Sequence, residues 1–355
     1  MDRLPLVSTF SRHVLVFAGL TAGLCLAVLL ALNVGATGVP LANLPALLRA
    51  HWAGTPLSPS QQIEWLVLVD IRLPRAVLGL LVGAALATAG AVMQGLFRNP
   101  LADPGTIGVA AGAALATALV IVLGDGVLAP LLAPLGRWSL PLAGLAGGFV
   151  ATLLLYGLAT RGGATSIAVV LLGGIALSAF ASALTGVLIF LANDRQLRDL
   201  TFWTLGSLSG ASWPVIGVQL PFLIVGGLCL PLLAAALNAL LLGEGDAYHM
   251  GVPVERAKRL ALLSVACLVG ATVSMVGIIG FVGVLVPNLL RLVIGPDHRI
   301  LLPASALLGA VLLLCSDAVA RTIAAPAEMP IGVITALVGA PCFFWLLIRE
   351  SARIG

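Results

Sequence analysis

Charge is scarce in this chain of 355 residues. Asp, Glu, Lys and Arg make up 9% of it, against about 25% in an ordinary soluble domain. With 60% hydrophobic residues, a soluble fold of this length would lack the polar surface to cover itself, so a soluble enzyme or binding module is excluded. Lysine is scarcer still: Lys258 is the only one. It follows Val254-Glu255-Arg256-Ala257, which rules out a Walker A phosphate loop, so ATP hydrolysis would have to come from another polypeptide. The 18 basic residues give a formal charge of +4 but are scattered over loops, and no nucleic-acid partner is expected. The cysteines, Cys25, Cys229, Cys267, Cys315 and Cys342, lie in apolar stretches without a C-x-x-C pair, and read as small hydrophobes with no disulfide. His13, His51, His249 and His298 are expected in or near loops and form no pair at metal-ligand spacing. No metal and no permanently bound cofactor is expected. Also missing is a relay of Asp, Glu or His along the apolar runs, which weighs against an ion-coupled secondary carrier acting alone.

What the chain has is length of apolar sequence, with a mean hydropathy of +1.15. Apolar segments run at about 14–34, 74–94, 106–124, 140–160, 165–192, 213–236, 258–280, 282–295, 303–322 and 330–348. These predict an all-α, polytopic membrane protein of about ten transmembrane helices, with residues 1–355 forming a single transmembrane domain. The first segment lacks a convincing cleavage site and reads as a retained span rather than a signal peptide. The eighth is short and carries Pro287, so a broken or tilted helix is expected there. Small residues recur, as in Gly108-x-x-x-Gly112 and Gly144-x-x-Gly147-Gly148, and predict close helix packing in lipid rather than a ligand role. Pro104-Gly105-Thr106-Ile107-Gly108-Val109 faintly echoes Pro330-Ile331-Gly332-Val333, which hints at two inverted five-helix halves.

Ten spans would put both termini on one side. That side would hold eleven of the 18 basic residues, Arg3 and Arg98 among them, and the bias places the termini in the cytoplasm of a bacterial inner membrane. Positive charge on the opposite face then runs against the usual rule. Arg72-Leu73-Pro74-Arg75 and Arg98-Asn99-Pro100-Leu101-Ala102-Asp103-Pro104 flank an apolar stretch long enough to cross a bilayer. Arginines at one face and a proline-broken turn at the other suggest docking on one side and a movable helix end on the other. Asp317 and Arg321 are four apart on one helix face. They form either a local ion pair or, in Arg321, an outward charge near Arg72 and Arg75. The loop at about 243–259 reads as two short helices joined at Gly251, with Pro253 opening the second.

These phrases, with Leu197-Arg198-x-Leu200-x-x-Trp203-x-x-Gly206, Gly280-Phe281-Val282-Gly283-Val284-Leu285-Val286-Pro287-Asn288-Leu289-Leu290-Arg291 and Glu328-Met329-Pro330-Ile331-Gly332, resemble the permease subunits of ABC importers for haem, iron chelates and cobalamin (the type II importers). The resemblance covers nearly the whole chain. It implies a cobalamin-importer-permease-like homodimer with the pathway at its axis, two cytoplasmic ATP-binding subunits and a periplasmic substrate-binding protein. By motif, it implies that Arg72, Arg75 and Arg321 pair with acidic residues of the binding protein. Thr165 and Ser166 would form the inner gate, with N-capping of a helix as the plainer reading. Asn99 and Leu101 would form a second cytoplasmic constriction. Glu244, Asp246, Ala247, Met250 and Gly251 would seat against an ATPase, with Ala247 permitting close approach and Gly251 a sharp turn. The stretch from Asp194 to Leu208 looks most like haem permeases, so haem is the expected cargo, with an iron-siderophore or cobalamin as the alternative.

Overall fold

A computed structural model describes residues 9–35, 39–325 and 327–354; Arg3, counted in the charge bias, lies outside them. The fold is a helical bundle: α1 (Thr9–Asn33), α2 (Leu73–Phe97), α3 (Val109–Leu123), α4 (Ser139–Ala159), α5 (Ile167–Leu191), α6 (Asp194–Thr204), α7 (Trp213–Leu240), α8 (Glu244–His249), α9 (Val254–Val276), α10 (Val282–Ile294), α11 (His298–Ile323) and α12 (Ile331–Ile354). Between α4 and α5 a two-residue hairpin, β1 (Thr160–Arg161) and β2 (Ala164–Thr165), pairs Thr160 with Thr165. Its turn is Gly162-Gly163, both at positive φ, the conformation that two-residue hairpins demand.

Seven helical runs among the described residues are long and apolar enough to cross a bilayer, not the ten or so expected. Three of the apolar segments form helices of only 10–17 residues: Val109–Leu123, Val282–Ile294 and the apolar part of α12, Ile331–Leu346. At 1.5 Å per residue these reach about 15–25 Å, short of a hydrocarbon core of about 30 Å. Counting apolar runs registers composition but not where a helix ends. The division into inverted five-helix halves rested on ten crossings and falls with that count. The eighth segment is a 13-residue helix that keeps Pro287 inside it.

Helix α2 is the hub. It continues a run from Pro59 through a π-helical turn at Leu66–Arg72, and nearly all of its residues after Leu81 are buried. A helix apolar on every side is stable only when surrounded. Without a hydrophobic drive between helices in lipid, contact comes from close backbone approach. A methyl group at Gly83 would strike the Gly309 carbonyl of α11, and one at Gly112 of α3 the Gly147 carbonyl of α4. The glycine phrases in α3 and α4 thus pack helices, as expected. By contrast α1 and α5 leave most of their surface uncovered.

Candidate functional site: two charged ends of the bundle

Polar side chains buried at the ends of the bundle fall into two networks. At one end the chain leaves α1 and enters α2. Arg72 donates from Nη1 to the carbonyls of Leu32 (2.9 Å) and Val39 (3.0 Å). Arg321 of α11 donates to Ala31 (3.0 Å) and Val34 (2.7 Å). Two guanidiniums therefore satisfy carbonyls that the last turn of α1 leaves unpaired, where the helix dipole also favours positive charge. Arg75 lies between two carboxylates. Its Nη2 is 2.9 Å from Asp317 Oδ1, and its Nη1 is 2.8 Å and 2.9 Å from the two oxygens of Glu328. Asp317 also takes Arg321 Nε at 3.0 Å. The local i,i+4 pair thus forms, and Arg75 from α2 joins it.

The three arginines predicted from the sequence do converge, but none is more than 8% exposed. The partially exposed member is Glu328, whose side chain is 43% accessible. Sequence reasoning placed Glu328 in a family phrase and gave it no role.

The opposite end is built around Lys258, in the first turns of α9 and 2% exposed. Its ammonium reaches Glu244 Oε2 at 2.6 Å, Glu255 Oε1 at 3.0 Å and the Thr165 carbonyl at 2.9 Å. All three of its donors are used. Glu255 also accepts the Thr165 N–H at 2.9 Å, so Glu255 and Lys258 hold both sides of the Thr165 backbone. The Thr165 hydroxyl lies 3.0 Å from that of Thr160. Ser166 is the N-cap of α5, its Oγ accepting from Val169 N at 3.4 Å. Lys258 and Glu255 were not expected to have a role; the signal available was that Lys258 is the sole lysine with an acid three residues before it.

The predicted coupling loop divides differently from the expectation. Its first helix is α8, but the second is the opening of the long α9. Ala247 is fully buried within the chain, whereas Tyr248 and Met250 project outward. Asp246 and Gly251 are exposed as well, and Gly251 has φ 82°. The turn after α2 lies alongside: a Cβ on Gly243 would stand 3.7 Å from Arg98 Nη1. Arg98 itself takes a left-handed conformation, φ 49°. Asn99 Oδ1 accepts the Leu101 N–H at 2.9 Å, Asn288 Nδ2 donates to the Pro100 carbonyl at 2.8 Å, and Leu101 is exposed. Asp103 caps the next turn through the Gly105 N–H, 2.7 Å away. Burial pushes its carboxyl above the usual carboxylate range, against the opposing pull of that hydrogen bond.

His298 opens α11 directly after the loop at 295–297 and is fully buried, its Nδ1 2.9 Å from Asn238 Oδ1. Among the described residues no group of three or more His, Cys, Asp or Glu is placed to hold a metal ion.

The model of the FecCD transport family matches residues 23–349. This chain belongs to that family. It is a permease of the FecCD/BtuC-type ABC importers, a multi-pass membrane protein and not an enzyme. It is 44% identical over 295 residues to the hemin transport system permease protein HmuU of Yersinia pestis, covering 81% of this chain and 85% of that one. It is 41% identical over 309 residues to the cobalamin import system permease protein BtuC of Halobacterium salinarum, covering 87% and 80%. It is 42% identical over 283 residues to the vitamin B12 import system permease protein BtuC of Salmonella typhi, covering 79% and 83%. A solved structure described as an inward-facing conformation of a metal-chelate type ABC transporter superposes with a TM-score of 0.79 at 31% identity, over 95% of this FecCD chain and 99% of that one.

Proposed function

We propose that this FecCD permease carries a metal chelate across the bacterial inner membrane. It works as a homodimer, with two ATP-binding subunits on the cytoplasmic side and a substrate-binding protein outside. The observation that carries the reading is the similarity along nearly the whole chain to hemin and cobalamin permeases together. The narrower haem reading is widened accordingly, because identities of 44% and 41–42% do not separate the two cargoes.

The Lys258 end is the cytoplasmic one in this proposal. The start of α1 and the end of α12 both lie there, since Asn33 and Ile331 belong to the opposite end. Helix α8 seats in the ATPase through Tyr248 and Met250, with Gly251 setting the turn. Glu244 carries displacement through Lys258 to Thr165 and so to the gate at Thr165 and Ser166. Asn99 and Leu101 form the second constriction beside it. At the outer end, an acidic binding protein docks by taking the place of Glu328 on Arg75, since Arg72 and Arg321 are committed to carbonyls and to Asp317.

The test is uptake into proteoliposomes of haem, cobalamin and a ferric siderophore, each with its cognate binding protein, with and without the ATPase and ATP. ATP-dependent uptake of one or more chelates is expected. Uptake without the ATPase would establish a secondary carrier instead. Gly251→Pro, which demands φ near −65° where the chain has 82°, is expected to abolish stimulated turnover. Turnover unchanged in that variant would remove the coupling assignment.

A further inference from the structure

Two cavities meet on the flank formed by α3, α4 and α5. The first, of about 660 Å³, is an apolar groove lined by Leu115, Leu119, Leu131, Leu142, Leu154 and Phe180. Its size falls in the range of about 300–1,000 Å³ typical of small-molecule sites. The second, of about 630 Å³, has a mixed lining of apolar side chains with Asp125, Arg195 and Asp199. The two share Val120, Leu132 and Ser139, so the apolar groove opens into this charged chamber. The chamber is built: Asn193 caps α6 through the N–H groups of Arg195 and Gln196. Gln196 then ties α6 to α3 by donating to the Val122 carbonyl at 3.0 Å. Arg137 lies over the ring of Trp138 next to Ser139, the kind of basic and aromatic pair that marks the level of lipid headgroups.

A hydrocarbon-lined groove at membrane depth that ends in charged side chains at the interface has the polarity of a phospholipid. We propose that it holds one phosphatidylethanolamine, with an acyl chain in the groove and the headgroup in the chamber. Charge selects this headgroup. Arg195 suits the phosphate, and its guanidinium can bind two oxygens at once. Asp125 and Asp199 suit a primary ammonium, which has three N–H donors; a choline headgroup has none to offer. Two carboxylates against one guanidinium disfavour a headgroup of net negative charge.

The test is native mass spectrometry of the full-length chain released from bilayers of equal phosphatidylethanolamine, phosphatidylcholine and phosphatidylglycerol. One phosphatidylethanolamine per chain is expected, enriched about fivefold over phosphatidylcholine, with the enrichment lost in Asp125→Asn with Asp199→Asn. Ala146→Trp, which fills the groove, is expected to lower retained lipid about tenfold, and Leu228→Trp on the exposed face of α7 to leave it unchanged. Equal retention of the three lipids in wild type, or enrichment that survives the two Asp→Asn changes, would overturn the proposal. An interchain disulfide formed by Leu131→Cys would overturn it too, by assigning the groove to a second copy of the chain.

Discussion

The two ends of the bundle solve the problem of burying cations in opposite ways. At one end three arginines share two carboxylates and a set of backbone carbonyls, most of them at the close of α1. Apart from Val39 and Glu328, which lie in irregular segments, their partners are α11 and the end of α1, so the network clamps α1, α2 and α11 to one another. At the other end one lysine draws on two carboxylates and one carbonyl. These sit on short or terminal elements: α8, the first turn of α9, and β2. Arginine's rigid fork suits fixed acceptors, while lysine's flexible stem and point charge tolerate acceptors that shift. Burying an ion pair is weak evidence for stability, but stranding one partner is costly. The first end therefore holds the bundle together, and the second can transmit movement.

Removing the shared acceptor should have the largest effect. Asp317→Ala leaves Arg75 and Arg321 without their common carboxylate and is expected to cost about 3–5 kcal/mol, read as a fall in the thermal unfolding midpoint in detergent. A loss under about 1 kcal/mol would show that the carbonyls alone hold the arginines. Next in size is Lys258→Met, which leaves Glu244 and Glu255 facing each other. It is expected to cost about 1–3 kcal/mol, with uptake falling further than basal ATP turnover in the reconstituted importer. If uptake and stability fall together in proportion, the lysine is a clamp like the arginines and the contrast fails.

Glu328→Gln should be smaller. Its side chain is 43% exposed, so screening limits the loss to about 0–1 kcal/mol. The same variant should tighten docking of an acidic binding protein by freeing Arg75, as measured by titration at low and high salt. Weaker docking would show that Glu328 itself faces the partner. Smallest is Asp103→Asn, which keeps an oxygen for the Gly105 N–H. Burial raises the Asp103 pKa. The folded state therefore binds the proton more tightly, and this contribution is present at low pH and lost as pH rises from about 3.8 through the raised value. Stability of the variant should vary less with pH across that window in chemical unfolding. An unchanged pH dependence would assign it to another group.

Composition made the membrane class legible and the long apolar runs made the helical fold legible, because a barrel strand would alternate in polarity. The ends of helices were not legible in the same way. The run 282–295 looks like a span until Phe281 at φ 68° and Gly295 at φ 83° bound a helix of 13 residues. At the site, residue types at the two membrane faces were readable, but their pairing was not. Asp317 and Glu328 lie 242 and 253 positions from Arg75, so a guanidinium that looks available to a partner in sequence is already engaged within the chain. Lys258 was read for what it excludes, a phosphate loop, and its three acceptors come from segments that no spacing rule connects. Ala247 was expected to permit close seating because it is small; its side chain is enclosed within the chain, which its size alone does not reveal.

A chain with a single lysine carries a single side-chain amine, and here that amine is sealed among three acceptors. An acylating reagent must wait for the Glu244–Lys258–Thr165 link to open before it reaches this amine. The rate of that modification is thus a clock for the opening of the Lys258 end, readable by mass at one lysine. Nothing has to be engineered into the permease to install it.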